Sequence, residues 1–178
     1  PAGAPHGRMR FVHDRIREAL LAQLEPAERR DVHRAAAELI DHRTGRDVGA
    51  DPETAYALAA HCRLGGLDHH PERAYSACTT AGRLALAEHA PVQALTLLED
   101  AADAARHAGI APDAAFMTTL GIAQHRAGHF LDAVSTLREA QQRAQTSYER
   151  AQILGHQSRV HDSMWNTTPS RPPPSGRP

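Results

Sequence analysis

The chain has no lysine. All 20 of its cationic side chains are arginine, set against 21 aspartates and glutamates, for a formal net charge of −1. Without lysine no Gly-x-x-x-x-Gly-Lys-Ser/Thr loop can form, so P-loop phosphate chemistry is excluded here; no Gly-x-Gly-x-x-Gly occurs either. The balanced charge gives no general attraction to nucleic acid. Aromatics make up 4% of the 178 residues, and valine and isoleucine together number 11. Strands draw on those residue types, which argues against a β-sandwich, a barrel or a Rossmann sheet. No apolar run nears the ~20 residues needed to span a bilayer, which excludes a helical membrane anchor in this sequence. The N-terminal residues lack an apolar signal-peptide core. Cys62 and Cys78 are the only cysteines. With no short spacing between them, they suit a reducing cytosol and read as core residues.

What the sequence has in quantity is alanine, 34 residues, and leucine, 16, both good helix formers. Residues Met9–His13 alternate and allow a short strand. Helical spacing follows in Ile16, Ala19, Leu20 and Leu24. A second helix opens at Pro26 and runs to about Arg43, with Val32, Ala36, Leu39 and Ile40 as its apolar stripe. Asp51-Pro52 reads as a cap followed by proline in the first turn, and that helix ends at Gly65-Gly66. Further helices open at Pro71, Pro91 and Pro112 and close near His89, Gly109 and Gly128. Two more cover about Phe130–Gln145 and Tyr148–Met164. Residues 166–178 are rich in proline and hold nothing suited to a core, so they read as a disordered linker.

Eight helices with short turns raise the question of repeats. Leu120-Gly121 recurs as Leu154-Gly155, an offset of 34, the tetratricopeptide period. A unit begun at Ala114 places apolar or small residues at Met117, Leu120, Gly121, Gly128, Ala133, Leu137 and Ala140. Gly121 and Ala133 are expected where two helices cross, and Leu137 and Ala140 against the following repeat. A looser copy begins near Tyr75, with Gly82 and Ala94 at the crossing. Five extra residues are expected around the Gly109–Pro112 turn. A third copy begins at Tyr148 with its first helix alone. The fold class is therefore all-α, an antiparallel helix-hairpin, tetratricopeptide-like superhelical array. A generic alanine-rich hairpin stack is the alternative.

Catalytic and metal signals are weak. His69-His70 adjoin Asp68, but adjacent residues point apart; His125 and His129 flank Gly128; His156 and His161 are five apart. No metal or catalytic set is expected. His61-Cys62 is no dyad, because neighbouring helix positions diverge. His13-Asp14 lacks a third partner, and no Gly-x-Ser-x-Gly is present. Function is expected on surfaces instead. In a solenoid the first helices line a groove. By repeat register its residues are Thr79, Arg83, Thr118, Ile122, His125, Gln152, His156 and Arg159. Arginine there suits a carboxylate-bearing peptide. The arginines of the first two helices, among them Arg29, Arg30 and Arg34, alternate with Glu25, Glu28 and Asp31 and read as a salt-bridged face.

The run Arg10-Phe11-Val12-His13-Asp14-Arg15-Ile16-Arg17-Glu18-Ala19-Leu20 is followed by Pro26, Arg29-Arg30, His33-Arg34, Ala37 and Leu39. Next come Ala55, Ala59-Ala60 and His61, then Ala81–Ala87 and Ala94–Ala101. In that order these segments resemble the arm after the nucleotide-binding module of bacterial STAND/AAA-type signalling ATPases, which include LuxR-type regulators and predicted ATPases fused to kinases or cyclases. The resemblance covers Arg8 to Met164. It implies a disordered start (1–8), the end of a winged-helix-like module with linking helices (9–50), tetratricopeptide-like hairpins (51–165) and the tail. It implies a cytoplasmic, non-catalytic arm for protein interaction and signal relay in transcription regulation or signal transduction, cut from a longer protein. ATP would belong to an upstream domain, and no cofactor to this chain. Partners would be a protein, a peptide or other domains of the parent, without direct nucleic-acid or membrane contact. A self-standing tetratricopeptide adaptor is the nearest alternative, and a small helical histidine-using metal protein or enzyme a more distant one.

Overall fold

The computed structural model describes residues 14–44 and 51–167, with side chains from 18 to 43 and 51 to 166. Those residues form an all-α array: α1 (Asp14–Ala22), α2 (Pro26–Thr44), α3 (Pro52–Gly65), α4 (Pro71–Ala87), α5 (Pro91–Ala108), α6 (Ala114–Arg126), α7 (Phe130–Arg143) and α8 (Ser147–Thr167). The strand expected at 9–13 and the segments 1–8 and 168–178 lie outside the described residues. Asn166 and Thr167, read as the start of the tail, belong to α8.

Local chemistry sets the helix ends. The Asp51 carboxylate accepts from the backbone N–H of Glu53 and Thr54, and Pro52 opens the first turn. Asp113, rather than Pro112, caps α6 by accepting from Phe116 N at 2.7 Å. Thr146 and Glu149 form a reciprocal capping box at the start of α8, a signal the sequence reading passed over. Three helices end alike, each with a left-handed residue and a bond reaching back five positions. These are Ala90 N to Ala85 O, Ile110 N to Ala105 O and His129 N to Gln124 O. The left-handed residues are His89 (φ 59), Gly109 (φ 66) and Gly128 (φ 88).

From α2 onward each helix packs on the next, and α4, α6 and α8 also touch in turn. The main core runs from Ala37 of α2 through α3, α4 and α5 to Phe116, Leu120 and Ala123 of α6. A smaller one joins α7 and α8 around Leu137, Ile153 and Val160. The hairpins α4–α5 and α6–α7 are built on the same notch. An added Cβ on Gly82 would stand 2.7 Å from Leu98 Cγ, and one on Gly121 would stand 2.7 Å from Leu137 Cγ. The crossing partner is thus the leucine four residues beyond the expected alanine. Ala94, itself fully buried, places its carbonyl 3.5 Å from that Gly82 position. Leu137 fills its own hairpin and also reaches the next repeat, where it and Ala140 share the smaller core with Ile153 and Val160 of α8. The extra residues between the copies mostly lengthen a helix: α5 continues to Ala108, ten residues past Leu98, whereas α7 stops six past Leu137.

The stripe expected on α2 is rotated. His33 and Ala37 are buried and Ile40 packs beside them, while Val32 and Leu39 are 46% and 51% exposed. Polar bonds explain the rotation. Arg34 Nε donates to Gly65 O at 2.8 Å, and Arg73 of α4 pairs with Asp41 at 2.8 Å. His33 is turned inward to meet His61, Nδ1 to Nδ1, at 2.9 Å.

Gly121→Ala is expected to lower stability by about 1–2 kcal/mol despite its better helix propensity, because the methyl drives into Leu137. Gly155→Ala, whose Cβ meets nothing within 4 Å, is expected to gain about 0.5–1 kcal/mol. Urea unfolding of the two variants checks the contrast. His89→Gly removes a side chain from the left-handed region and is expected to add roughly 0.5–1 kcal/mol by the same measurement.

Candidate partner-binding groove

The first helices of successive hairpins, α4, α6 and α8, lie side by side. Between α6 and α8 their surface deepens into an open groove of about 460 Å³. Thr118, Thr146, Tyr148, Glu149, Gln152 and His156 line it, with Ala114, Ala115 and Ile153. The Thr118 hydroxyl donates to Ala114 O at 2.6 Å, so it serves its own helix. Gln152 Nε2 donates to the Tyr148 hydroxyl at 3.0 Å. Glu149, the acid of the groove, is occupied by the N–H groups of Gln145 and Thr146 at 2.8 and 3.1 Å.

A basic cluster adjoins the groove. Arg159 donates to His156 Nδ1 at 2.7 Å, which requires that nitrogen to be bare. Ser163 Oγ donates to Arg159 O at 2.9 Å and so accepts from His125 Nε2 at 2.8 Å. Burial first, then the guanidinium groups of Arg159 and Arg126, hold both imidazoles below their ordinary pKa; His125 adds to the effect on His156. Both rings are therefore neutral at pH 7, and the fixed charge comes from the two arginines. Arg126 also donates to Leu86 O at 3.2 Å, tying the end of α6 to the end of α4.

Of the eight residues placed in the groove by register, Thr118, Gln152 and His156 line it, and His125 and Arg159 adjoin it. Arg83 is exposed on α4 beside Tyr75, whose hydroxyl pKa burial and Asp113 raise and Arg83 lowers. Two placements fail. Thr79 is 9% exposed, because α3, α5 and α6 all pack on α4. Ile122 is half-buried and packs on the main core.

The cysteines are buried at the other end of the array. Burial pushes the Cys62 thiol up to about 11 and the Cys78 thiol up to about 12, so neither is a nucleophile at neutral pH. His61 turns to His33 instead of to Cys62. Because their Nδ1 atoms face each other, one must donate and the other accept, and the two rings cannot both be fully protonated.

One cluster escaped the sequence reading. Glu38 Oε1 lies 3.4 Å from His70 Nε2 and 3.9 Å from His69 Nε2. The argument that neighbouring histidines diverge holds within a helix, but these two occupy the turn before α4, where their rings meet edge-on at 4.4 Å. Two imidazoles and a carboxylate are a donor set that zinc accepts. All three side chains are exposed, and as they stand they form an ion pair whenever an imidazole is protonated. The only sequence signal was the Asp68-His69-His70 run itself; Glu38, 32 residues away from His70, gave none.

Comparison of the chain with family models, curated proteins and solved structures finds no match.

The shifts set a pH dependence. His33, lowered by burial and by Arg29, behaves as His125 and His156 do. For all three the unfolded chain takes up protons from about pH 6.5 downward, before the folded chain does. Their contribution is therefore full above that pH and lost as pH falls towards the folded values. Asp100, raised by burial, acts with opposite sign in the carboxylate range. The urea midpoint is expected to drop between pH 7.5 and 5.5. The drop should shrink in the triple variant His33→Gln, His125→Gln, His156→Gln.

Proposed function

We propose that the chain is a non-catalytic, tetratricopeptide-like arm that holds an acidic segment of a partner along α6 and α8. The observation that carries this reading is the pair of cationic side chains Arg126 and Arg159, set with the neutral imidazoles of His125 and His156 beside an open groove whose own carboxylate, Glu149, is held by backbone N–H groups. An incoming carboxylate meets two guanidinium groups, and guanidinium–carboxylate pairs are directional and strong. The repeated Gly82–Leu98 and Gly121–Leu137 hairpins support a solenoid, in which such a face is the usual binding surface.

The order of the sequence segments supports placing this arm in a cytoplasmic bacterial STAND/AAA-type regulator, downstream of an ATPase module and acting in transcription regulation or signal transduction. Among the described residues no helix is long and apolar enough to cross a membrane. The coding sequence upstream of Pro1 separates this reading from a self-standing adaptor. A Gly-x-x-x-x-Gly-Lys-Ser/Thr motif there favours the regulator; a parent protein without one favours the adaptor.

Binding is tested by fluorescence anisotropy with a labelled glutamate-rich peptide at low salt. Arg159→Ala is expected to weaken capture ~5–20-fold and Arg83→Ala by less than ~3-fold, with affinity falling as salt rises. Equal capture by the wild type and by Arg159→Ala, Arg126→Ala and His125→Ala variants would remove the groove.

A further inference from the structure

Each hairpin hides the same four positions of its first helix. In α4 these are Cys78, Ala81, Gly82 and Ala85, all buried. The equivalents in α6 are Met117, Leu120, Gly121 and Gln124, none of them exposed. What covers them is equally regular. The second helix presents Ala-x-x-x-Leu-x-x-Ala: Ala94, Leu98 and Ala101 in α5, and Ala133, Leu137 and Ala140 in α7. All six are 0% exposed. The leucine enters the glycine notch of the facing helix.

The 34-residue offset carries the set once more, to Ala151, Leu154, Gly155 and Ser158 of α8. Here it is open. Ala151 and Ser158 are exposed, Leu154 is 49% exposed, and a Cβ on Gly155 would meet nothing within 4 Å. Trp165, 83% exposed, lies farther along the same side of α8. Ile153 and Val160, on the opposite side, are buried against α7. Among the described residues the packing surface of a first helix is thus present without its second helix.

We infer that the outer face of α8 docks an amphipathic helix carrying Ala-x-x-x-Leu-x-x-Ala, its leucine seated on Gly155. The seams of α5 and α7 are already buried in their own hairpins, so the docked helix comes from outside the described array rather than from a second folded copy. This site shares α8 with the groove, but it is probed by an apolar helix rather than an acidic peptide, so the failure of one reading is distinguishable from the failure of the other.

The probe is a synthetic, end-capped helix with the sequence Pro91–Ala108, titrated into the whole chain. Trp165 is the only tryptophan and reports contact directly. A saturable blue shift of its emission is expected, and no shift when the peptide carries Leu98→Asp. Gly155→Leu in the chain, which fills open space and leaves the fold intact, is expected to weaken binding by ~10-fold or more. No shift at peptide concentrations up to ~1 mM overturns the proposal. So does equal binding by the Gly155→Leu chain. Self-association of the chain that Gly155→Leu abolishes also overturns it, by assigning the face to a second copy.

Discussion

The array depends on two glycines. A leucine side chain can lie against the backbone of a facing helix only where no Cβ stands in the way, and Gly82 and Gly121 supply that absence. The close approach explains the composition around it. With so little space between the helices of the α4–α5 hairpin, the neighbouring contact positions there are alanine or cysteine: Ala77, Cys78, Ala81 and Ala85 on α4, with Ala94 and Ala101 opposite. Dense packing of small residues replaces the large aromatics that a sheet-based core would use. Phe116 is the one large ring buried in this core, and it meets Tyr75 at 5.4 Å where α4 and α6 converge.

Polar contacts do a different job. They fix rotation and spacing between helices that the apolar contacts leave free to slide. Arg34 on the Gly65 carbonyl, Arg73 on Asp41, Tyr56 on Glu88 and Arg126 on the Leu86 carbonyl each join helices of different hairpins or opposite sides of one. The arginines suit this use. A guanidinium reaches a carbonyl or a carboxylate in a fixed fork, so each bond sets an angle as well as a distance. Exposed pairs such as Arg106–Asp103 add little by comparison.

Helix existence and order were legible in the sequence, because proline and glycine punctuate nearly every turn and their physical meaning is local. Asp51-Pro52 and Gly109 could be assigned without knowing any neighbour. The face of α2 was not legible. Val32 and Leu39 are more apolar than His33, yet His33 is the buried residue, because His61 satisfies it and Arg34 is anchored to Gly65. The crossing contact was nearly legible. Register placed Gly121 correctly but matched it to Ala133, since a small residue opposite a small residue looks natural; the notch instead receives the longer Leu137. The groove was legible in part for the same reason. Register finds the angle of a residue on its helix, and so found Thr118, Gln152 and His156, but it cannot tell that a third helix covers Thr79. Glu38 joining His69 and His70 had no local signal at all.

The pattern of neighbour-to-neighbour packing has a consequence for how the molecule comes apart. Contacts among the described helices are short in sequence separation, so contact order is low and any one hairpin can form before the rest is in place. In such a linear system stability is shared among adjacent units, and the outermost helices have a partner on one side only. Partly folded species in which α8 or α2 has frayed while α4–α5 remains intact therefore lie close in energy to the folded chain. A single melting temperature would average over them.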